Sequence, residues 1–129
     1  MARLIVLDAS VAIAALAVDD AHHRAASGAL TAASDDELVL AATTRAEILV
    51  GPSRARGAAL AAASNFLDGC ATVPVTALLA DQAAALKGRH RTLSLPDAIA
   101  LVVANLIDAD AVWTFDRRWS SLDPRVVIP

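Results

Sequence analysis

The chain has 129 residues, 57% of them hydrophobic, with one cysteine and a formal net charge of −3. That length and apolar content let one domain bury a core without disulfides and exclude disorder as the resting state. The lone Cys70 fits a reducing compartment, the negative balance excludes a global positive field that would advertise nucleic-acid binding, and the longest charge-free apolar run, Val11–Val18, is far short of the ~20 residues a bilayer span needs.

Taken in chain order, the first element is a β-rich run at Leu4–Leu7 that ends in Asp8. Arg3, this run and Ala15-Leu16-Ala17 imitate a secretory leader, but a charge inside the hydrophobic region is costly there. The expectation is a cytoplasmic protein whose first strand ends in an acid. Ser10 is placed to cap a short helix at 11–17, and helical spacing resumes at 19–33. A second strand at Leu38–Ala41 leads into a helical segment at 43–50 closed by Gly51-Pro52, then a helical segment at 53–68. A third strand, Ala71–Val75, precedes helical segments at 76–87 and 96–108, and strands Ala111–Thr114 and Arg125–Ile128 complete the chain. Strands without period-two alternation, separated by helices, predict a parallel sheet buried on both faces. The fold class is therefore α/β: a three-layer α/β/α sandwich around a central, mainly parallel five-stranded sheet, one domain over residues 1–129. With 32 alanines and only four aromatic residues, its helices must pack closely through small side chains.

Topology places the chemistry. Right-handed crossovers make the helices run antiparallel to the strands they connect, so each begins at the sheet's carboxyl edge. Ligands in open α/β sheets bind outside that edge, where the strand order reverses. Asp8 follows the first strand and Asp116 the fourth; Glu47 is expected in the first turn of the helix after the second strand, and Asp97 in the first turn of the helix before the fourth. Each acid has an ordinary explanation. Thr44-Arg45-Ala46-Glu47 fits a capping box, Ser94-Leu95-Pro96-Asp97 is a looser version, Asp8 can begin a turn, and Asp116-Arg117 can be a surface turn with a weak ion pair. Their joint placement on one edge is what points to a site. Asp35, Asp36, Asp108, Asp110 and Asp123 lie in connections that no apolar strand feeds and read as solvated.

Clustered acids repel unless a cation or proton compensates. An all-oxygen set suits Mg²⁺ or Mn²⁺, which retain waters and act on phosphates, whereas zinc prefers nitrogen or sulfur. Ser10 and Thr114 can orient ligands or waters through their hydroxyls; an N-cap and a strand-end hydroxyl are their ordinary roles.

Leu7-Asp8-Ala9-Ser10-Val11, Arg45-Ala46-Glu47-Ile48-Leu49, Leu95-Pro96-Asp97-Ala98-Ile99-Ala100 and Thr114-Phe115-Asp116-Arg117 together resemble, in order and spacing, the acidic signatures of PIN-domain nucleases. A chain of this size is most similar to the VapC toxins of bacterial VapBC toxin–antitoxin modules. The resemblance implies a Mg²⁺- or Mn²⁺-dependent endoribonuclease with Asp8, Glu47, Asp97 and Asp116 as its catalytic acids. Asp8 and Asp97 would be the direct metal ligands, with Asp116 in the same metal set and Thr114 as a supporting hydroxyl. It also implies in-line water attack leaving a 3′-hydroxyl and a 5′-phosphate, a homodimer, and a VapB-type antitoxin partner. Phe115 stands where many relatives carry a polar residue.

Arg45, Arg54, Arg56, Lys87, Arg89, Arg91, Arg117 and Arg118 lie in or beside segments leading to the acidic edge, where some can contact RNA phosphates and others are solvated helix ends. His90 reads as a surface residue, Cys70 as a small core residue, and Trp113 as buried in the sheet. Trp119 is expected in the core or at a dimer contact, and metal binding at His22 and His23, near Asp19 and Asp20, is a remote reading. Two other Mg²⁺-using designs fit worse. A phosphatase of the haloacid dehalogenase type would need an acid where Ser10 stands, and a receiver module would need a lysine after the last strand, while the only lysine is Lys87. A non-catalytic binding module on a PIN scaffold is the remaining alternative, though all four acids are present.

Overall fold

A computed structural model describes every residue from Met1 to Pro129. In chain order the elements are β1 (Leu4–Leu7), α1 (Ala9–Leu16), α2 (His23–Ala32), β2 (Glu37–Ala41), α3 (Ala42–Ala55), α4 (Gly57–Asp68), β3 (Ala71–Val73), α5 (Ala77–Arg89), α6 (Leu95–Leu106), β4 (Ala111–Trp113), a 3-10 turn (Arg117–Ser121) and β5 (Val126–Val127). All strand pairs are parallel, in the order β3-β2-β1-β4-β5. The chain winds outward from β1 through β2 to β3, then returns to lay β4 and β5 on the other side. The order therefore reverses between β1 and β4, whose register pairs Val6 with Val112 and Leu7 with Trp113. That is the junction expected to carry Asp8 and Asp116.

The two faces of the sheet feed two cores. On one, Val6, Val39 and Val112 pack with α5, α6 and Trp119. On the other, Ile5, Leu7, Leu40, Ala111 and Trp113 pack with α1 and with residues of α2, α3 and α4. Alanine makes this close layering possible: Ala83, Ala98, Ala100 and Ala104 are all essentially inaccessible. Helix α6 is buried continuously from Ala98 to Ala104, the mark of a helix enclosed rather than laid on a surface.

Three local expectations need correction. Gly51-Pro52 does not close α3, which runs on to Ala55 and ends where Arg56 (φ 60°) and Gly57 (φ 54°) turn the backbone into the left-handed region. Proline removes one rung of the helix ladder, yet rungs on either side continue the helix. Because α3 begins at Ala42, Glu47 lies in its second turn rather than its first, and Thr44 is no cap; it is a buried side chain. Finally, not all of the acids in the connections are solvated. Asp110 is exposed as expected, though it accepts the Leu4 amide at 2.7 Å, but Asp36 is half-buried and pairs with Arg3 at 2.9 Å, and Asp123 is buried beneath Arg125.

The last of these pairs anchors β5. Arg125 donates from Nε and Nη2 to the two Asp123 oxygens at 3.0 and 2.7 Å and from Nη1 to the Ala104 carbonyl at 2.9 Å. Hydrogen bonding from Arg125 holds the Asp123 carboxyl below its ordinary pKa. Its stabilising contribution is thus present above the ordinary carboxylate value and lost as pH falls through the lowered one. Asp123→Asn should cost roughly 2 kcal/mol at neutral pH, and the deficit should shrink in acid; thermal melts of both proteins across pH check this. A pH-independent deficit would assign the loss to packing instead.

Candidate active site

The hydrogen bond from the Asp8 amide to the Trp113 carbonyl, at 2.9 Å, fixes the acid directly outside the reversal point. Asp8 occupies the N-cap of α1, but its carboxylate caps nothing. Instead Oδ2 accepts from Ser10 Oγ and from Thr114 Oγ1, both at 2.8 Å. Each hydroxyl in turn accepts a backbone amide: Phe115 N at 3.1 Å for Ser10 and Asp116 N at 3.0 Å for Thr114. Two hydroxyls thus bolt the end of β1 to the end of β4 and saturate one oxygen of Asp8. Thr114 is fully buried, so this arrangement is built into the fold. Ser10 lies inside α1 rather than capping it.

The other acids arrive from two helices and one turn. The Ser94 hydroxyl caps α6 by accepting the Asp97 amide at 3.2 Å, which leaves the Asp97 carboxyl beyond the helix N-terminus. Burial is the main cause that raises the Asp97 pKa, followed by the charge of Asp8 and, less, that of Asp116. Contacts from Ser94 and the Trp119 indole pull it partly back. Glu47 is an exposed residue overall, yet partial burial of its carboxyl raises its pKa first, and Asp8 and then Asp97 raise it further. The charge of Asp8 thus reaches both Glu47 and Asp97, and that of Asp97 reaches Glu47, while Asp116 acts on Asp97 alone of the two.

Asp116 behaves differently. Arg118 grips it through Nε at 2.9 Å, Nη2 at 2.6 Å and the backbone amide at 3.0 Å, and this hydrogen bonding lowers its pKa. The expected neighbour Arg117 takes no part; the 3-10 turn brings the next arginine round instead. Among the other marked basic residues, Arg45 reaches Thr72 at 3.3 Å and Lys87 holds the Leu93 carbonyl at 3.0 Å. A cleft of about 260 Å³ opens beside Asp116 and Arg118, with His90, Thr92 and Ser121 on its walls. His90 is exposed there, as expected of a surface residue.

Whether such a site suits a divalent ion is a question of donors and spacing. Asp8, Glu47 and Asp97 offer only hard oxygens, and no basic side chain forms a salt bridge with any of them. One buried polar atom at this edge lacks a partner: Thr43 Oγ1, one helical turn before Glu47 and on its face. No three acidic, histidine or cysteine side chains converge closely enough to grip one ion directly. The residues therefore fit a small hard cation that keeps much of its water shell, with the Thr43 hydroxyl left to bond that water. Sequence pattern marked Arg118 as a basic residue beside this edge but not as the partner of Asp116, did not mark Thr43, and left Trp119 open between the core and a dimer contact.

Because Glu47 holds its proton more tightly folded than unfolded, its contribution to stability falls as pH rises from the ordinary carboxylate range through the raised value. Without metal, Glu47→Gln should therefore melt slightly above the unsubstituted protein at neutral pH. The gap should close in acid, where Glu47 is protonated in both states. A variant that melts lower at every pH would show that Glu47 is a structural anchor.

A family model described as PIN domain matches residues 5–123. The chain is a member of the PIN-domain family. Among solved structures, this PIN domain is similar to Mycobacterium tuberculosis VapC20, a sarcin–ricin loop cleaving toxin, with a TM-score of 0.78 and 26% identity over 92% of this chain and 94% of that one. It is similar to a toxin–antitoxin complex from Klebsiella pneumoniae, with a TM-score of 0.79 and 24% identity over 97% of both chains. The fold also matches Rickettsia felis VapBC2 bound to a promoter DNA fragment, with a TM-score of 0.68 and 12% identity over 98% of this chain and 97% of that one. No curated protein sequence matches the chain significantly. No helix is long and apolar enough to cross a membrane.

Proposed function

We propose that this PIN domain is the toxin of a toxin–antitoxin module and cleaves RNA as a Mg²⁺- or Mn²⁺-dependent endoribonuclease, with Asp8, Glu47, Asp97 and Asp116 as its acidic site. Family membership and likeness to VapC20 support a nuclease, and likeness to two toxin–antitoxin complexes supports an antitoxin partner. The observation that carries the reading is Asp8, bolted to the end of β4 by Ser10 and Thr114 where the sheet reverses, with no basic side chain in a salt bridge to it, to Glu47 or to Asp97.

Each acid has a part. Asp8, with one oxygen held by Ser10 and Thr114, keeps a second oxygen for the ion. Asp97 would be the other direct ligand, with Asp116, which Arg118 holds, in the same metal set. Glu47, whose carboxyl binds its proton more tightly than usual, is suited to take the proton of the attacking water. What a bound ion supplies is a more acidic water and neutralisation of charge developing on the phosphoryl oxygens. Water adds in line to phosphorus as the bond to the ribose 3′-oxygen breaks; that oxygen leaves with a proton as the 3′-hydroxyl, and the 5′-phosphate stays on the downstream fragment. A homodimer and an antitoxin segment covering the acids belong to the same proposal.

Brief induction in cells followed by mapping of new RNA 5′ ends tests the reading, with the sarcin–ricin loop as the first site to inspect. Discrete new 5′-phosphate ends, growth arrest, and relief of both by co-expressing the adjacent small reading frame are expected. A chain that is harmless alone, binds no such partner and cuts no RNA would favour a non-catalytic scaffold.

A further inference from the structure

The α1–α2 connection places His22 flat against Phe115, with ring centroids 4.2 Å apart and planes within 10°. The position of this stack is unusual for the chain. Trp113 and Trp119 are buried, at 6% and 1% exposure, and so present no open aromatic face, while Phe66 lies half-buried near the C-terminal end of α4. Phe115 immediately precedes Asp116, and its amide bonds the Ser10 hydroxyl that itself donates to Asp8. The aromatic pair therefore sits two hydrogen bonds from the Asp8 carboxylate.

Phe115 is half-buried and its ring joins the core beneath α1, whereas His22 is exposed and its ring makes no hydrogen bond within the chain. The connection carrying it is pinned at two points. Asp20 Oδ1 accepts the His22 amide at 2.8 Å, and the His23 ring nitrogen Nδ1 meets the Ala14 carbonyl at 2.9 Å. A rigidly held imidazole, backed by a phenyl ring and open to solvent, gains little as a core contact. It is well made as a surface on which another flat group can lie.

We propose that His22 and Phe115 form a stacking platform for one unpaired nucleobase of the RNA strand lying across the carboxylates. This rests on the ribonuclease reading above and adds a base-binding subsite to it. Unpaired bases are held in RNA-binding proteins by stacking on aromatic planes, a contact that tolerates any base because each has a π-face. Arg117, exposed just beyond Asp116, can take a neighbouring phosphate without reading sequence. The platform binds base, so it raises affinity for the strand without taking part in bond cleavage.

The test compares two fluorescein-labelled probes of equal length by anisotropy in Ca²⁺ buffer: a short random-sequence RNA and an abasic ribose-phosphate oligomer. His22→Ala should weaken the base-bearing probe roughly 5-fold or more, leave the abasic probe unchanged and melt like the unsubstituted protein. His22→Trp, which keeps a flat ring, should retain the tighter binding. Equal weakening of both probes, or no change in either, overturns the platform. Cleavage of total RNA by the unsubstituted protein in Mg²⁺ separates the levels: intact cleavage with unaffected probe binding removes only the platform, while no cleavage at all removes the ribonuclease reading and the platform with it.

Discussion

Asp8→Asn and Asp97→Asn should each lower metal-dependent RNA cleavage by roughly 100-fold or more while the fold persists. Loss of a group that merely orients a ligand already costs metal sites about 10- to 100-fold, and these substitutions remove the charged ligand itself. Asparagine preserves the shape of each side chain, so Ser10 and Thr114 keep a carbonyl oxygen to bond at position 8, and Ser94 still caps α6 through a backbone amide at position 97. The fold should also survive because removing one charge relieves the others: Asp8 helps raise the pKa of both Glu47 and Asp97. Steady-state cleavage of a labelled RNA, with melting temperatures in metal-free buffer, checks both halves. Unchanged cleavage by both variants would remove these acids from the site. A clearly lowered metal-free melting temperature would make them structural caps.

Metal identity carries the second large effect. Protein stripped with a chelator should be inactive on RNA, and Mg²⁺ or Mn²⁺ should restore cleavage fully. Both expectations follow from a donor set of carboxylate oxygens with no histidine or thiolate. Ca²⁺ should bind but support little turnover, since its looser coordination positions an attacking water poorly. Added to Mg²⁺-activated protein, Ca²⁺ should then inhibit by competition. Full activity in excess EDTA would mean that the acids work without an ion, with Glu47 and Asp97, both of raised pKa, left as the proton acceptors to explain cleavage.

Much of this site is legible in the residues themselves because it hangs on regular elements. Hydrophobic runs locate the ends of β1 and β4, which places Asp8 and Asp116, and the Ser94-Leu95-Pro96-Asp97 pattern locates the start of α6. The hydroxyls of Ser10 and Thr114 follow from the same strand ends. What escapes the pattern is set by turns and tertiary contact. The 3-10 turn at Arg117–Ser121 rotates Arg118, not Arg117, onto Asp116, and no periodicity signals so short a turn. Asp123 reads as a loop acid until Arg125 is seen to bridge it to the end of α6 through Ala104 and Asn105. Pro52 fails as a helix stop because the left-handed backbone at Arg56 and Gly57, four and five residues later, is the true end of α3. The His22–Phe115 stack joins residues more than two thirds of the chain apart, a pairing that only the β1–β4 junction explains.

The most direct test of a carboxylate-held metal at the sheet reversal is a Mn²⁺ titration of chelator-stripped protein, read as the loss of the free-ion paramagnetic signal. Unsubstituted protein should take up Mn²⁺, Asp8→Asn and Asp97→Asn should lose most of that uptake, and Asp35→Asn, which removes an exposed acid outside the cluster, should bind like the unsubstituted protein. Equal binding by all four proteins, or none by any, would contradict the account.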